Sequence, residues 1–283
     1  MSIHSPLLSA SLAAPLAQSR EFGAALTHMG RPPLRLSLPG GRGEVQVVRR
    51  RFGPMTVGLV SRLDLERSDL RWLSAQTQAR ALLLNPETEE AGHGMCLRTP
   101  AAVAELSLSQ PTDVLRACLK QKWRNRLNRA QDQKLKLTET TLFPTEGHWL
   151  LEMDARQARQ KGYTNWPAAL TLAYARANKG QARLFEARRT GEVISAMLFL
   201  CHGEVATYHI GWSGPEGRAA GAHHALIWHA MERLRARGIA RLDLGQVATD
   251  AAPGLARFKL GTGARLKTLG GSWLALPALV RGQ

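Results

Sequence analysis

Apolar residues recur along this chain in two rhythms, and the changes of rhythm mark its elements. The clearest run extends from residue 204 to 259. Residues 204–212 (EVATYHIGW) are rich in β-branched and aromatic side chains, and residues 213–221 (SGPEGRAAG) carry the glycine and proline of a turn. From 222 to 237, His223, Leu226, Ile227, Ala230, Met231 and Leu234 recur three and four apart, while Glu232, Arg233, Arg235 and Arg237 stand off that stripe. Gly238 stops the helix, since glycine accepts the positive φ of a helix end. Residues 239–245 (IARLDLG) form a second strand. The pattern predicts a strand, turn, helix, strand crossover with a basic, glycine-containing turn at the start of the helix, followed by a second helix.

The remaining elements follow in order. Residues 15–30 predict a helix with Ser19 as N-cap and Phe22, Ala25, Leu26 and Met29 on one face, closed by Gly30 and Pro32. Segments 34–38 and 44–48 flank PGGRG as a hairpin, 55–60 is a strand, 68–80 a helix and 81–84 a short strand. One long helix is predicted across 111–135, with Thr112 as N-cap and Leu115, Leu119, Trp123, Leu127 and Ala130 as its buried stripe. A strand at 134–141 precedes helices at 149–161 and 166–178, the second opened by Asn165 and Pro167. Strands 182–188 and 193–200 meet at a Thr190-Gly191 hairpin, and closing strands fall near 264–268 and 273–275.

Composition adds charge and size. The 283 residues suffice for two domains, and the net charge is +16. Of 38 basic residues eight are lysine, so arginine, with its planar two-point fork for oxyanions, dominates; an Arg- and Ala-rich codon usage is the competing explanation. Arg116, Lys120, Lys122, Arg124, Arg126 and Arg129 follow one another with no carboxylate between, which points to phosphate contact or to an acidic neighbouring element. Arg49, Arg50 and Arg51 at a strand end form either a solvated edge or a contact for an anionic ligand, Arg51 being the candidate. Three cysteines (Cys96, Cys118, Cys201) with no C-x-x-C pair argue for a reducing compartment and against a zinc ribbon. His223 and His224 lack a third ligand at useful spacing, so no metal is expected. Residues 1–19 show neither a basic n-region nor a sustained apolar run, and no stretch is long enough to cross a membrane; a cytoplasmic protein is expected.

The turn before the 222–237 helix has its own chemistry. The first amides of a helix lack internal partners and carry the positive end of its dipole, so a phosphate can sit there, and glycine lets the backbone approach. The turn reads Arg218-Ala219-Ala220-Gly221-Ala222-His223. It resembles the [Q/R]-x-x-G-x-[G/A] pyrophosphate loop of the GNAT acyltransferase superfamily, with His223 where that family has a small residue. The likeness extends to the FemAB-like branch, which includes the peptidoglycan-bridge aminoacyltransferases and related acetyltransferases. PLAQSREFGAAL resembles its opening helix, KWRNRLNRAQ its basic helix, ATYHIGWS its tyrosine-bearing strand, and RLDLGQV and PGLARFKLGTG its Y-D-L-G-G and G-L-x-x-F-K-x-x-F-G segments. Leu242, Gln246 and Thr262 depart from those patterns.

The resemblance implies an α+β fold of two tandem GNAT-like domains, each a mixed central sheet flanked by helices. The first would span 1–142 on the acceptor side, ending in the basic helix 112–131, and the second 143–283 with the donor turn. It implies transfer of an acyl group, acetyl from acetyl-CoA or another acyl-CoA first, to the amine of a small molecule or peptide. Aminoacyl-tRNA is the alternative donor, and a non-catalytic module on nucleic acid or an anionic surface the alternative of another class. Arg218, Gly221, Ala222 and His223 would hold the donor, with Arg51, Arg124 and Arg126 as further substrate or phosphate contacts. The acyl carbonyl would enter between strands 207–212 and 241–245. Side-chain alternation puts Thr207, His209 and Gly211 on one face and Tyr208 and Ile210 on the other. His209 or Asp243 could accept the amine proton, Tyr208 could protonate the leaving group, and Lys259 could stabilise negative charge. Against these stand ordinary roles: His209 and Tyr208 as packed core, Asp243 as a helix cap, Lys259 as a solvated helix end.

Overall fold

The computed structural model describes residues 14–249 and 251–276; most of the N-terminal stretch behind the expectation of a leaderless chain lies outside them. Strands β1 (Leu34–Ser37), β2 (Glu44–Phe52), β3 (Met55–Ser61), β4 (Ala81–Asn85) and β5 (Met95–Arg98) build one sheet. Strands β6 (Ala102–Ser107), β7 (Lys136–Thr141), β8 (Ala182–Arg189), β9 (Glu192–His202), β10 (Val205–Ser213), β11 (Arg241–Val247) and β12 (Arg265–Thr268) build a second, in the order β12-β6-β11-β10-β9-β8-β7. The last strand, β13 (Ser272–Ala275), returns to the first sheet between β4 and β5. Both sheets are mixed, with parallel pairs β3·β4 and β10·β11 among antiparallel neighbours, and both carry helices. The fold is α+β, as expected.

The sheets do not divide where a boundary at residue 142 would put them. Helix α1 (Arg20–His28) packs on α6 (Ala168–Ala177) over the second sheet, while α2 (Arg67–Thr77) covers the first. Helices α3 (Thr112–Cys118) and α4 (Gln121–Asp132), with β6 and β7, also belong to the second sheet, and β13 ties the chain's end back to the first. A crossing chain at both ends makes separate unfolding of the halves costly, because each sheet borrows an element from the other end of the sequence.

Helices α3, α4, α8 (Ala222–Ala236) and α9 (Pro253–Gly261) cover one face of the second sheet over Phe185, Phe199, Met197 and Leu242. Helices α1, α5 (Trp149–Lys161) and α6 cover the other over Leu184, Leu198, Leu200 and Ile210. Each fully buried leucine contributes about 1.5–3 kcal/mol by leaving water, so these two faces dominate stability. The stripe Leu115, Leu119, Trp123, Leu127 and Ala130 is buried throughout.

The single helix expected over 111–135 is broken. Leu119 turns extended (ψ 134) and the Lys120 N–H donates to the Gly261 carbonyl at 3.0 Å, a tertiary bond that replaces a helical one. Thr112 is the first helical residue rather than the cap, which is Pro111. Asn165 likewise does not cap α6; Pro167 does, and the Asn165 side chain goes to Asp154. Ser19 caps α1 as expected, accepting from the Phe22 N–H at 3.0 Å. Strands β5 and β6 and the five-residue helix α7 (Pro215–Ala219) inside the expected turn went unread in the sequence.

Candidate active site

Strands β10 and β11 run parallel and paired only from Val205–Thr207 against Arg241–Asp243. Beyond that point they part, and each carries an irregularity there. On β10 the register against β9 slips between Tyr208 and Ile210, leaving His209 as the bulged residue; on β11 the register against β6 slips between Asp243 and Gln246, where Gly245 has φ +73. A bulge inserts a residue and turns the strand, so two of them facing each other hold the gap open.

The bulge also overturns the expected alternation. Tyr208 packs with the α8-side core and Ile210 with the α5/α6-side core, so these two residues lie on opposite faces. His209 meets Trp166 at 4.9 Å between ring centroids and shares a 2.8 Å hydrogen bond with Thr171 Oγ1. Burial lowers its imidazole to about 4, so it is neutral at physiological pH. The Tyr208 ring lies along the strand with its hydroxyl over Gly211, where a Cβ would come within 1.7 Å of that oxygen. Burial raises the phenol above its ordinary value, which keeps it a proton donor.

Asp243 and Lys259 flank the other side of the gap. Asp243 is 6% exposed and accepts from the Gly245 N–H at 2.7 Å and from Arg62 Nη1 at 3.4 Å. Arg62, which follows β3 with φ 58, also pairs with Glu87 and, at 3.2 Å, with Glu105, and Lys267 reaches Glu87 at 2.6 Å. A guanidinium from the first sheet thus holds three carboxylates, one of them at the parting of the second. Lys259, also 6% exposed, donates to the Gln246 carbonyl at 2.8 Å, and burial lowers its ammonium to about 8, opposed by the charge on Asp243.

At the end of β10 the chain enters α7, reverses at Gly221 (φ 65) and starts α8. A cavity of about 520 Å³ opens there, lined by Arg126, Arg129, Asp132, Gln133 and by the segment 218–221 with His224. Three guanidiniums face one carboxylate in it. Gly221 lies where a Cβ would touch the Ala130 Cβ at 3.4 Å, so α4 packs directly against the junction and brings its arginines to it. At the junction the Gly221 N–H bonds to the Arg218 carbonyl and the His224 N–H to the Gly221 carbonyl at 2.9 Å. His224 packs edge to face with Phe258 and against Trp123, and burial lowers it to about 4.

The structure gathers some of the residues singled out in the sequence and disperses others. Arg218, Gly221 and Arg126 line the cavity; Tyr208, His209, Asp243 and Lys259 border the gap between the strands. Ala222 is fully buried, and the His223 imidazole donates to the Trp212 carbonyl at 3.0 Å. Arg124 gives its Nη2 to the Leu119 carbonyl at 3.3 Å, and Arg51 is exposed in the β2–β3 hairpin of the first sheet; neither lines the cavity. Arg62 was not singled out by sequence reasoning, while Arg129 was named only within the basic run and His224 only as a rejected metal ligand. The signal that named Arg129 is the uncompensated basic run that it shares with Arg126.

The family model for the acetyltransferase (GNAT) domain matches residues 119–263, slightly over half the chain. Among solved structures, FemX superposes with a TM-score of 0.72 at 15% identity, covering 93% of this chain and 92% of its own. A conserved protein of unknown function from Bacteroides thetaiotaomicron superposes at 0.57 with 12% identity, covering 93% of each chain. L-PGS from Bacillus licheniformis does so at 0.52 with 14% identity, covering 94% of this chain and 95% of its own. At such identities these likenesses establish the fold. No curated protein matches the sequence.

Proposed function

The chain belongs to the GNAT acetyltransferase family and is an acyltransferase with the tandem fold of FemX; from that premise we propose that it transfers an acyl group from acyl-CoA to a primary amine. One observation carries the reading: Arg126, Arg129 and Arg218 converge on a single cavity at the start of α8, immediately after a strand that parts from its neighbour. The helix dipole and the guanidiniums act on the same anion there. A bound pyrophosphate would lie at the α7–α8 junction and its acyl arm would run along β10 into the gap.

In that gap the amine nitrogen attacks the acyl carbon, forming the C–N bond and placing negative charge on the carbonyl oxygen. The Lys259 ammonium beside Gly245 stabilises that charge, the amine proton passes to His209 or to water, and the Tyr208 phenol protonates the thiolate as the C–S bond breaks. Asp243, held by Arg62 and the Gly245 N–H, fixes the bulge rather than receiving the proton.

A second reading, with aminoacyl-tRNA as donor, is favoured by the exposed outer side of α4. Lys120, just before α4, and Lys122 are exposed and extend the cationic surface of Arg126 and Arg129 beyond the cavity, further than one pyrophosphate needs. Turnover assays with acetyl-CoA or with aminoacylated tRNA, each against a pool of amines and peptides read by mass spectrometry, decide between them. Acylated product and free thiol with acetyl-CoA support the first reading; product formed only with tRNA replaces it with the second; product with neither donor removes both.

A further inference from the structure

Four acidic side chains are buried among the described residues: Asp69, Asp154, Glu186 and Asp243. Three have an arginine: Asp69 pairs with Arg42, Glu186 with Arg188 at 2.8 Å, and Asp243 with Arg62. Asp154, 8% exposed on α5, has none, in a chain carrying a large excess of arginine. Among the described residues its oxygens meet neutral donors alone, Asn165 Nδ2 and, at 3.4 Å, the Tyr163 hydroxyl. Burial raises its carboxyl above the usual carboxylate range.

These neutral partners lead to the parting strands. Gln157 Nε2 donates to the Tyr163 hydroxyl at 3.0 Å and to the Gly211 carbonyl at 3.3 Å, four residues past the last pairing of β10 with β11. Gly211 is the residue over which the Tyr208 hydroxyl lies. The segment joining α5 to α6 also carries Trp166, whose ring packs on His209 at the bulge. A carboxylate, the Tyr163 ring and an amide thus stand together, while the Trp166 ring is taken up by Phe22 at 5.2 Å and by His209. Tyr163, 40% exposed, is the part of this group that reaches solvent.

A buried carboxylate left without a cation is costly, and neutral hydrogen bonds offset only part of that cost. Aromatic faces and a carboxylate are the groups that together receive an ammonium. We propose that Asp154, with Tyr163 and Asn165, is the binding site for a primary ammonium group at the open end of β10, so that the ligand supplies the charge the chain withholds. The inference deepens the transferase reading and rests on it for the ligand's role. The ammonium is that of the acceptor amine or the α-ammonium of an aminoacyl donor, and the two share this chemistry.

Calorimetric titration of the full chain tests the site directly. The probes are 1,5-diaminopentane, an amine without a carbonyl, lysinamide, which adds the α-amino carbonyl of an aminoacyl group, and 1-pentanol as the neutral control. Expected is binding of the amines and not of the alcohol, weakened at least tenfold in Asp154→Asn, with CoA affinity unchanged. Lysinamide binding far tighter than the diamine assigns the site to a donor α-ammonium; the reverse assigns it to the acceptor. A quaternary probe, pentyltrimethylammonium, keeps the charge but not the N–H donors, and is expected to bind the wild-type protein at least tenfold more weakly than 1-pentylamine. That arm stands even if the variant does not fold. Amine affinity indifferent to Asp154→Asn, or equal binding of alcohol and amine, or equal binding of primary and quaternary amines, overturns the proposal. Amine binding that persists while no acyl donor supports turnover removes the transferase reading and leaves the site.

Discussion

Replacing Arg62 with methionine tests how the first sheet supports the cleft in the second. The guanidinium contacts Glu87, Glu105 at 3.2 Å and Asp243 at 3.4 Å, with 15% of its side chain exposed. Methionine fills similar volume and leaves three carboxylates with Lys267, at 2.6 Å from Glu87, and Arg241, at 4.0 Å from Glu105, as nearby cations. Breaking a buried ion pair from one side costs about 3–5 kcal/mol; partial exposure and the remaining Lys267 and Arg241 reduce that here to about 2–4. For a chain of this size the melting temperature should fall by roughly 3–7 °C at neutral pH. The sign of the pH dependence follows from Glu87. Burial acts to raise its carboxyl, but hydrogen bonds from Arg62 and Lys267 outweigh that and hold it below the ordinary carboxylate value. A depressed folded-state pKa gives stability that is present above the unfolded value, about 4.3, and lost as pH falls through the folded one. The gap between wild type and Arg62→Met should therefore be full above about pH 5 and narrow in acid. Urea unfolding of both proteins at pH 7.5 and pH 4 measures it. Stabilities within 0.5 kcal/mol at pH 7.5, or a gap that widens in acid, would refute the reasoning.

Other consequences are as specific. Gly211→Ala places a Cβ on the Tyr208 hydroxyl; the ring must swing away, so kcat should fall at least tenfold in steady-state assays while the melting temperature shifts only slightly. Lys259→Met removes a donor aimed at the gap and should lower kcat about 10²-fold; with wild type, the rate should decline above about pH 8 as this ammonium loses its proton. Asp154→Asn should melt at or above the wild-type temperature at pH 7.5. A raised folded-state pKa means that the ionised form destabilises the native protein above it, so the advantage should fade as pH falls through that raised value and be gone below the unfolded one, about 3.9. Gly221→Ala forces a side chain into φ 65 against α4 and should cost about 1 kcal/mol together with donor affinity, both measurable by thermal shift with and without CoA.

The sequence made the crossover β10–α8–β11 and the buried stripe of α3 and α4 legible because both depend on local periodicity. The stripe survived even the break at Leu119, which arises from the Gly261 carbonyl more than a hundred residues away and leaves no local trace. Strand β5 was missed because all four of its residues are exposed and show no alternation. The faces of Tyr208 and Ile210 were misjudged because a bulge at His209 is set by pairing with β9, not by composition. Arg62 was invisible as a site residue, since its three partners lie on β6, β11 and the segment after β4. Asp154 did leave a trace: it occupies a position in the buried stripe Leu150, Leu151, Asp154 and Ala158, where a carboxylate is out of place.

The central claim is that a phosphate-bearing donor rests where α7 gives way to α8. Amide hydrogen exchange of the segment 214–226, followed by mass spectrometry on addition of acetyl-CoA or of aminoacylated tRNA, tests it most directly. The account predicts slowed exchange there with a productive donor, abolished when Arg218 and Arg126 are both replaced by alanine. Unchanged exchange in this segment with a donor that nevertheless turns over would place the phosphates elsewhere and contradict it.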